Sequence, residues 1–323
     1  MNRNIINIED SKIFNFILKN KIIIFLYFSI LVLFILGTIL SRGFISYDHV
    51  LSILRIASFL GIVSMGQTIV ILTGGIDLSV GSLITMGNLF TCMFINGINS
   101  NTLWVLIVMI LLGSLFGSFN GFGIAYLKIP PLVMTLALGS VLTGINLIFT
   151  RGAGKGLASP ILRYISTGRL FDFISLIILI WAVLSVFFIL LLNSFTFGRK
   201  IYYIGANEKA AFLSGIKTNL IKTLAYSISG ATSSLTGALM AGYTVTAFLG
   251  IGNEYILWSI TAVVIGGTSL TGGKGGYLGT IAGCILLVLI ESILTVAQIP
   301  EAGRRIANGL LILILISIYF KKR

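Results

Sequence analysis

The sequence predicts an all-α, polytopic membrane protein of about ten transmembrane helices, with a broken helix near residues 73–79 and both termini cytoplasmic. Three observations carry that expectation. Hydrophobic residues make up 57% of the chain and charged residues only 10%, whereas soluble domains carry about 25% charge. Apolar runs long enough to cross a bilayer recur along the whole length. Glycine is 37 of 323 residues, which suits close helix approach in lipid. The net charge of +13 would suggest nucleic acid in a soluble chain. Here the basic residues sit in loops without interleaved aromatics, so no nucleic-acid partner is expected.

The elements follow in order. Residues 1–21 are polar, hold Arg3, Lys12, Lys19 and Lys21, and read as a cytoplasmic segment before a single transmembrane domain over 22–323. Residues 22–40 form the first span; the run is longer than a signal-peptide core and no cleavage pattern follows it. Further spans fit 51–72, 79–96, 103–126, 131–150, 173–193, 223–246, 257–270, 278–297 and 303–320. The 257–270 run is short, as expected of a helix that stops inside the membrane. This topology places the larger share of the 22 Lys and Arg residues on the cytoplasmic side, in line with the positive-inside bias. The outer loop 151–172 runs against that bias with Arg151, Lys155, Arg163 and Arg169, and reads either as a solvated loop or as a surface for an acidic partner.

Within this frame, Thr73-Gly74-Gly75-Ile76-Asp77-Leu78-Ser79 interrupts an apolar stretch. A carboxylate inside such a run costs roughly 2.5–3.5 kcal/mol at a helix centre. One helix ends at Gly74-Gly75 and the next begins near Asp77, whose side chain is placed to accept the Ser79 or Val80 N–H. Two readings stand: Asp77 as a cap at a membrane-edge turn, or as a polar group facing a substrate path. Gly113, Gly117 and Gly121, and likewise Gly275, Gly279 and Gly283, recur every fourth residue and read as packing faces. Lys128-Ile129-Pro130-Pro131 reads as a turn and the first turn of a helix. Cys92 and Cys284 lie in separate spans with no metal-type spacing. His49 is assigned to a loop. No catalytic constellation appears, so no enzyme activity, metal or cofactor is expected.

The loop 194–222 carries GRKIYYIGANEKAAFLSGI. Asn207 is a good N-cap, Glu208 suits a first turn and Gly215 a stop, giving a short helix over 207–214. A helix this short needs something to pack against, and Ala210, Ala211 and Leu213 are its apolar residues.

NEKAAFLSGI with GRKIYYIGAN before it, ILTGGIDLSVGS, and AVVIGGTSLTGGKGG at 262–276 together resemble the motifs of ribose-type ATP-binding-cassette (ABC) sugar permeases, in order and spacing, over roughly residues 45–320. The resemblance implies an importer subunit of the bacterial plasma membrane that translocates a monosaccharide of ribose, xylose or galactose type and works as a homodimer embedded in lipid. A cytoplasmic ABC ATPase would bind at Asn207, Glu208, Ala210, Ala211, Leu213, Ser214 and Gly215. A sugar-binding protein would deliver substrate from outside. The path would run between two permease copies, with Gln67, Thr73, Asp77, Asn88, Asn120 and Glu291 as its candidate lining. Permeases for nucleosides or amino acids share the architecture and form the alternative; an ion-driven secondary transporter is the second. The chain departs from the family pattern late in its sequence: Glu254 lies just upstream of Tyr255-Ile256-Leu257-Trp258, Glu291-Ser292 stands in place of an Asn pair, and Arg304 replaces a polar residue. Glu291 and Arg304 are therefore expected either to pair or to line a path for a more polar solute.

Overall fold

A computed structural model describes residues 23–307 and 309–310. Its helices are α1 (Ile23–Leu40), α2 (Tyr47–Leu72), α3 (Val80–Ile95), α4 (Thr102–Ala125), α5 (Pro131–Thr150), α6 (Pro160–Thr167), α7 (Leu176–Asn193), α8 (Thr196–Ala206), α9 (Glu208–Leu213), α10 (Thr218–Thr244), α11 (Asn253–Ile265) and α12 (Tyr277–Val296). Residues 301–307 and 309–310 are also helical. The expected segment 1–21 and most of the expected span 303–320 lie outside the described residues. Among the described residues, six helices are long and apolar enough to cross a membrane: α1, α2, α4 with its leading turn, α5, α7 and α12. Helices α3 and α11 are apolar but shorter.

Helix α10 is the hub. It packs most extensively on α4, then on α3 and α2. At 27 residues it is the longest α-helix among the described residues, yet it is rich in Ser, Thr and Gly. These small side chains let neighbouring backbones approach. A β-carbon added to Gly113 would collide with the Gly230 carbonyl, one on Gly117 with the Tyr226 carbonyl, and one on Gly121 with the Thr223 backbone. The glycine ladder of α4 thus faces α10. Hydroxyls follow the same seam: Ser114 Oγ lies 2.6 Å from Ser227 Oγ, and Ser234 Oγ donates to the Met109 carbonyl at 2.7 Å. Helix α2 lies inside the bundle, buried almost continuously from Ala57 to Leu72.

Five expectations need correction. The loop 151–172 contains α6, opened by Pro160 and capped by Ser159, whose hydroxyl accepts the Leu162 N–H at 3.2 Å. A small antiparallel pair, β1 (Arg169–Leu170) with β2 (Ile174–Ser175), then precedes α7, so that helix begins at Leu176 and not near 173. The short span is α11, set earlier than 257–270, because Gly266-Gly267 closes it and the Thr268–Gly276 stretch is a turn. Gly275 belongs to that turn, close against Thr268, while Gly279 and Gly283 pack helix against helix on Gly266 and Ala262. His49 lies in the first turn of α2, not in a loop; its Nε2 is 2.9 Å from Ser292 Oγ on α12, and its ring sits 4.7 Å from that of Phe44. Cys92 and Cys284 are buried and free.

Candidate functional site

The break between α2 and α3 is built by backbone closure. Gly74, at φ +83°, takes the left-handed conformation that glycine adopts without strain. Its N–H donates to the Ile71 carbonyl at 2.9 Å, and the Gly75 N–H donates to the Val70 carbonyl at 3.1 Å, the paired closure of a Schellman motif. Asp77 follows, fully buried. Its Oδ1 accepts the Ser79 N–H at 2.9 Å and the Ser79 hydroxyl at 2.6 Å, and its Oδ2 accepts the Ser229 hydroxyl of α10 at 2.8 Å. Asn120 of α4 extends the chain, its Nδ2 donating to Ser79 Oγ at 2.9 Å. Both carboxyl oxygens are thus satisfied by donors inside an apolar setting.

The segment carrying α8 and α9 reaches the same end of the bundle. Gly205 of α8 abuts the Leu72 carbonyl at the end of α2, and the Gly273 N–H donates to that carbonyl at 3.0 Å. Tyr202 Oη donates to the Gly275 carbonyl at 2.9 Å. The three motif stretches at 72–79, 198–215 and 262–276 thus meet backbone to backbone. Helix α9 occupies 208–213. The Asn207 side chain accepts the Ala210 N–H at 3.0 Å, and Gly215 at φ +81° closes the C-terminus. Glu208 pairs with Lys222 of α10 at 2.5 Å. Ala211 packs inward at 4% exposure, Ala210 and Ser214 face out, and Leu213 stands 76% exposed. Phe212, which the sequence reading passed over, stands 64% exposed beside it. Its signal was available: an aromatic and a leucine in succession on a helix too short to bury both.

The six polar residues singled out for a path do not form one cluster. Thr73, Asp77 and Asn120 surround the break, with the Thr73 hydroxyl turned back onto the Val70 carbonyl at 2.7 Å. Gln67 is buried in α2, and neither its amide nitrogen nor its oxygen has a partner among the described residues. Asn88 of α3 holds the loop after α10, accepting the Phe248 N–H at 2.8 Å. Glu291 lies apart on α12, where it pairs with Arg304 at 3.2 Å. Sequence reasoning missed Ser229, which lies 152 positions from Asp77 and carried no pattern of its own.

Comparison with known proteins gives a consistent picture. Residues 49–316 match the family described as branched-chain amino acid transport system / permease component. The ribose import permease protein of Haemophilus influenzae is 33% identical over 294 residues, covering 89% of this chain and 90% of the relative. That of Bacillus subtilis is 33% identical over 306 residues, 92% of each chain. The autoinducer 2 import system permease protein of Escherichia coli is 33% identical over 286 residues, 88% of this chain and 83% of the relative. No solved structure matches.

Proposed function

This chain belongs to the branched-chain amino acid transport system / permease component family, and we propose that it is the membrane permease of an ABC importer that carries a monosaccharide, of ribose, xylose or galactose type, into the cytoplasm. It is a multi-pass protein of the bacterial inner membrane. One observation carries the substrate class: relatives named as ribose import permeases align over about nine-tenths of both lengths. Relatives named for autoinducer 2 import align almost as fully, which keeps another small polar solute as the second reading.

In this reading the chain crosses the membrane ten times. Both termini then lie on the cytoplasmic side together with α8 and α9. A cytoplasmic ATPase docks on α9, with Phe212 and Leu213 as the exposed knobs and Asn207, Glu208, Ala210, Ser214 and Gly215 holding or flanking the helix, while Ala211 anchors it to the bundle. Because Gly205 rests on the Leu72 carbonyl, displacement of α8 and α9 acts directly on the end of α2 and the break beyond it. Thr73, Asp77 and Asn120 set the shape of that break; Gln67, Asn88 and Glu291 are carried by helices it moves. Two copies of the chain form the path between them, embedded in lipid. A sugar-binding protein meets the outer face, where Arg151, Lys155 and Arg163 are exposed.

The test is uptake in liposomes holding the permease, its ATPase and ATP, with the binding protein outside. Sugar uptake that needs ATP and the ATPase is the expected result; uptake driven by an ion gradient without either would overturn the importer reading. Replacing both knobs, Phe212→Ser with Leu213→Asp, is expected to cut sugar uptake at least tenfold. The permease itself should stay folded, since neither side chain is buried. Wild-type uptake by that double variant would remove α9 as the docking site.

A further inference from the structure

The chain has only nine Asp and Glu residues, and three of them line one cleft of about 300 Å³. The cleft lies at the end of the bundle opposite α8 and α9. Three segments build it: the start of α11, the last turns of α12 and the helical residues from 301 onward. Glu254 and Trp258 come from one face of α11, four residues apart. Glu291 comes from α12, and Glu301, Arg304 and Arg305 from the last segment. Arg304 pairs with Glu291 at 3.2 Å, and Arg305 with Glu301 at 2.6 Å and with Glu254 at 3.3 Å.

We infer that this cleft, formed by Glu254, Trp258, Glu291, Glu301, Arg304 and Arg305, is an outer recognition site for a small, neutral, hydroxyl-rich solute. The inference rests on the importer reading and names where the chain itself meets its cargo. Three carboxylates against two guanidinium groups leave little net charge, so the site favours neither a strong anion nor a strong cation. Each pair offers an acceptor beside a donor. A hydroxyl both donates and accepts, so neighbouring hydroxyls match a carboxylate and guanidinium held edge to edge. Trp258 adds an apolar aromatic surface for the C–H face of a ring. The volume is at the lower end of ligand pockets, roughly 300–1,000 Å³, which suits a single sugar ring. Glu254, Glu301 and Arg305 remain more than half exposed at its rim, so their polar groups are open to a solute.

The test uses the full chain in lipid nanodiscs, probed by saturation-transfer NMR with D-ribose, D-xylose and D-galactose, and with L-leucine as the comparison. In parallel, the assembled importer is assayed for uptake of the same four solutes. At least one sugar should receive saturation from the wild-type chain. Glu254→Gln and Trp258→Leu should each weaken its binding about tenfold, the loss expected when a hydrogen bond to a charged group or an aromatic contact is removed. Both positions are exposed or half-exposed, so the fold should survive; Glu291→Gln, closer to the packed interior, should also change the ranking among the three sugars. Wild-type uptake of a sugar with unchanged binding in all three variants would overturn the cleft and leave the importer reading intact. Uptake of leucine and of none of the sugars would overturn the importer's sugar reading and the cleft with it.

Discussion

Gly230→Val is expected to leave almost no folded permease in the membrane. A β-carbon on Gly230 falls on the carbonyl oxygen of Gly113, and one on Gly113 falls on the carbonyl of Gly230. Both obstacles are backbone, so no rotamer change relieves the clash. The helices α4 and α10 must separate, and the Ser114–Ser227 and Ser234–Met109 hydrogen bonds separate with them. Overpacking alone costs about 1–3 kcal/mol, occasionally more. Opening the seam at the hub of the bundle adds the lost contacts, for a total on the order of 5 kcal/mol, comparable with the whole stability of many domains. Gly144→Val provides the control: it lies on α5, where an added β-carbon meets nothing within 4 Å. Yield and melting temperature of detergent-extracted protein are the measurements. Equal behaviour of the two variants would show that the α4–α10 crossing is not the tight contact described.

How far the sequence reaches can be judged from particular residues. Helix positions were legible because lipid demands long apolar runs, and α2, α4, α5 and α12 lie within a few residues of where hydropathy puts them. The glycine ladder of α4 was legible as a packing face. Its partner was not, because α10 has no matching ladder and gains its close approach from mixed Ser, Thr and Gly. Helix α6 was hidden inside a charged stretch, although Ser159-Pro160 is a helix-opening pair. The caps of α9 at Asn207 and Gly215 were local and therefore readable. The direction of Phe212 and Leu213 depends on which face meets the bundle, which one sequence does not state.

The same contrast holds at the two charged places. Glu291 and Arg304 are close enough in sequence, across one turn, for a pair to be expected, and they pair. Glu254 and Glu301 join them only through Arg305 and the fold of α11 against α12. At the break, the Gly-Gly-x-Asp pattern disclosed the helix end and the local Ser79 contact. The contacts from Ser229 and, through Ser79, from Asn120 are long-range, so the sequence alone left two readings of Asp77 open.

Those contacts sharpen the expected behaviour of Asp77. Asp77→Ala should reduce both folded yield and transport by more than tenfold. It removes the acceptor for the Ser79 N–H, the Ser79 hydroxyl and the Ser229 hydroxyl at once. An orphaned buried donor costs about 1–3 kcal/mol, and hydroxyls re-aim more easily than an amide, so about 3 kcal/mol is expected in total. Asp77→Asn should do far less. Its oxygen can keep the Ser79 N–H, while its amide donates to Ser229 Oγ, which then acts as acceptor. The neutral side chain also avoids the cost of burying a charge. Transport within about threefold of wild type, under 1 kcal/mol, is therefore expected of Asp77→Asn, with a melting temperature no lower than that of wild type. Ser229→Ala, which removes one donor and leaves the cap, should fall between the two. An Asp77→Asn protein that is folded and fully inactive would require the charge itself in the transport cycle. The carboxylate would then belong to the path and not to the turn. With Asp77 fully enclosed by α2, α3, α4 and α10 in a single chain, the turn is the stronger expectation. Its role is to keep the end of α2 rigid where Gly205 bears on it, so that motion of α8 and α9 moves the broken span as a unit.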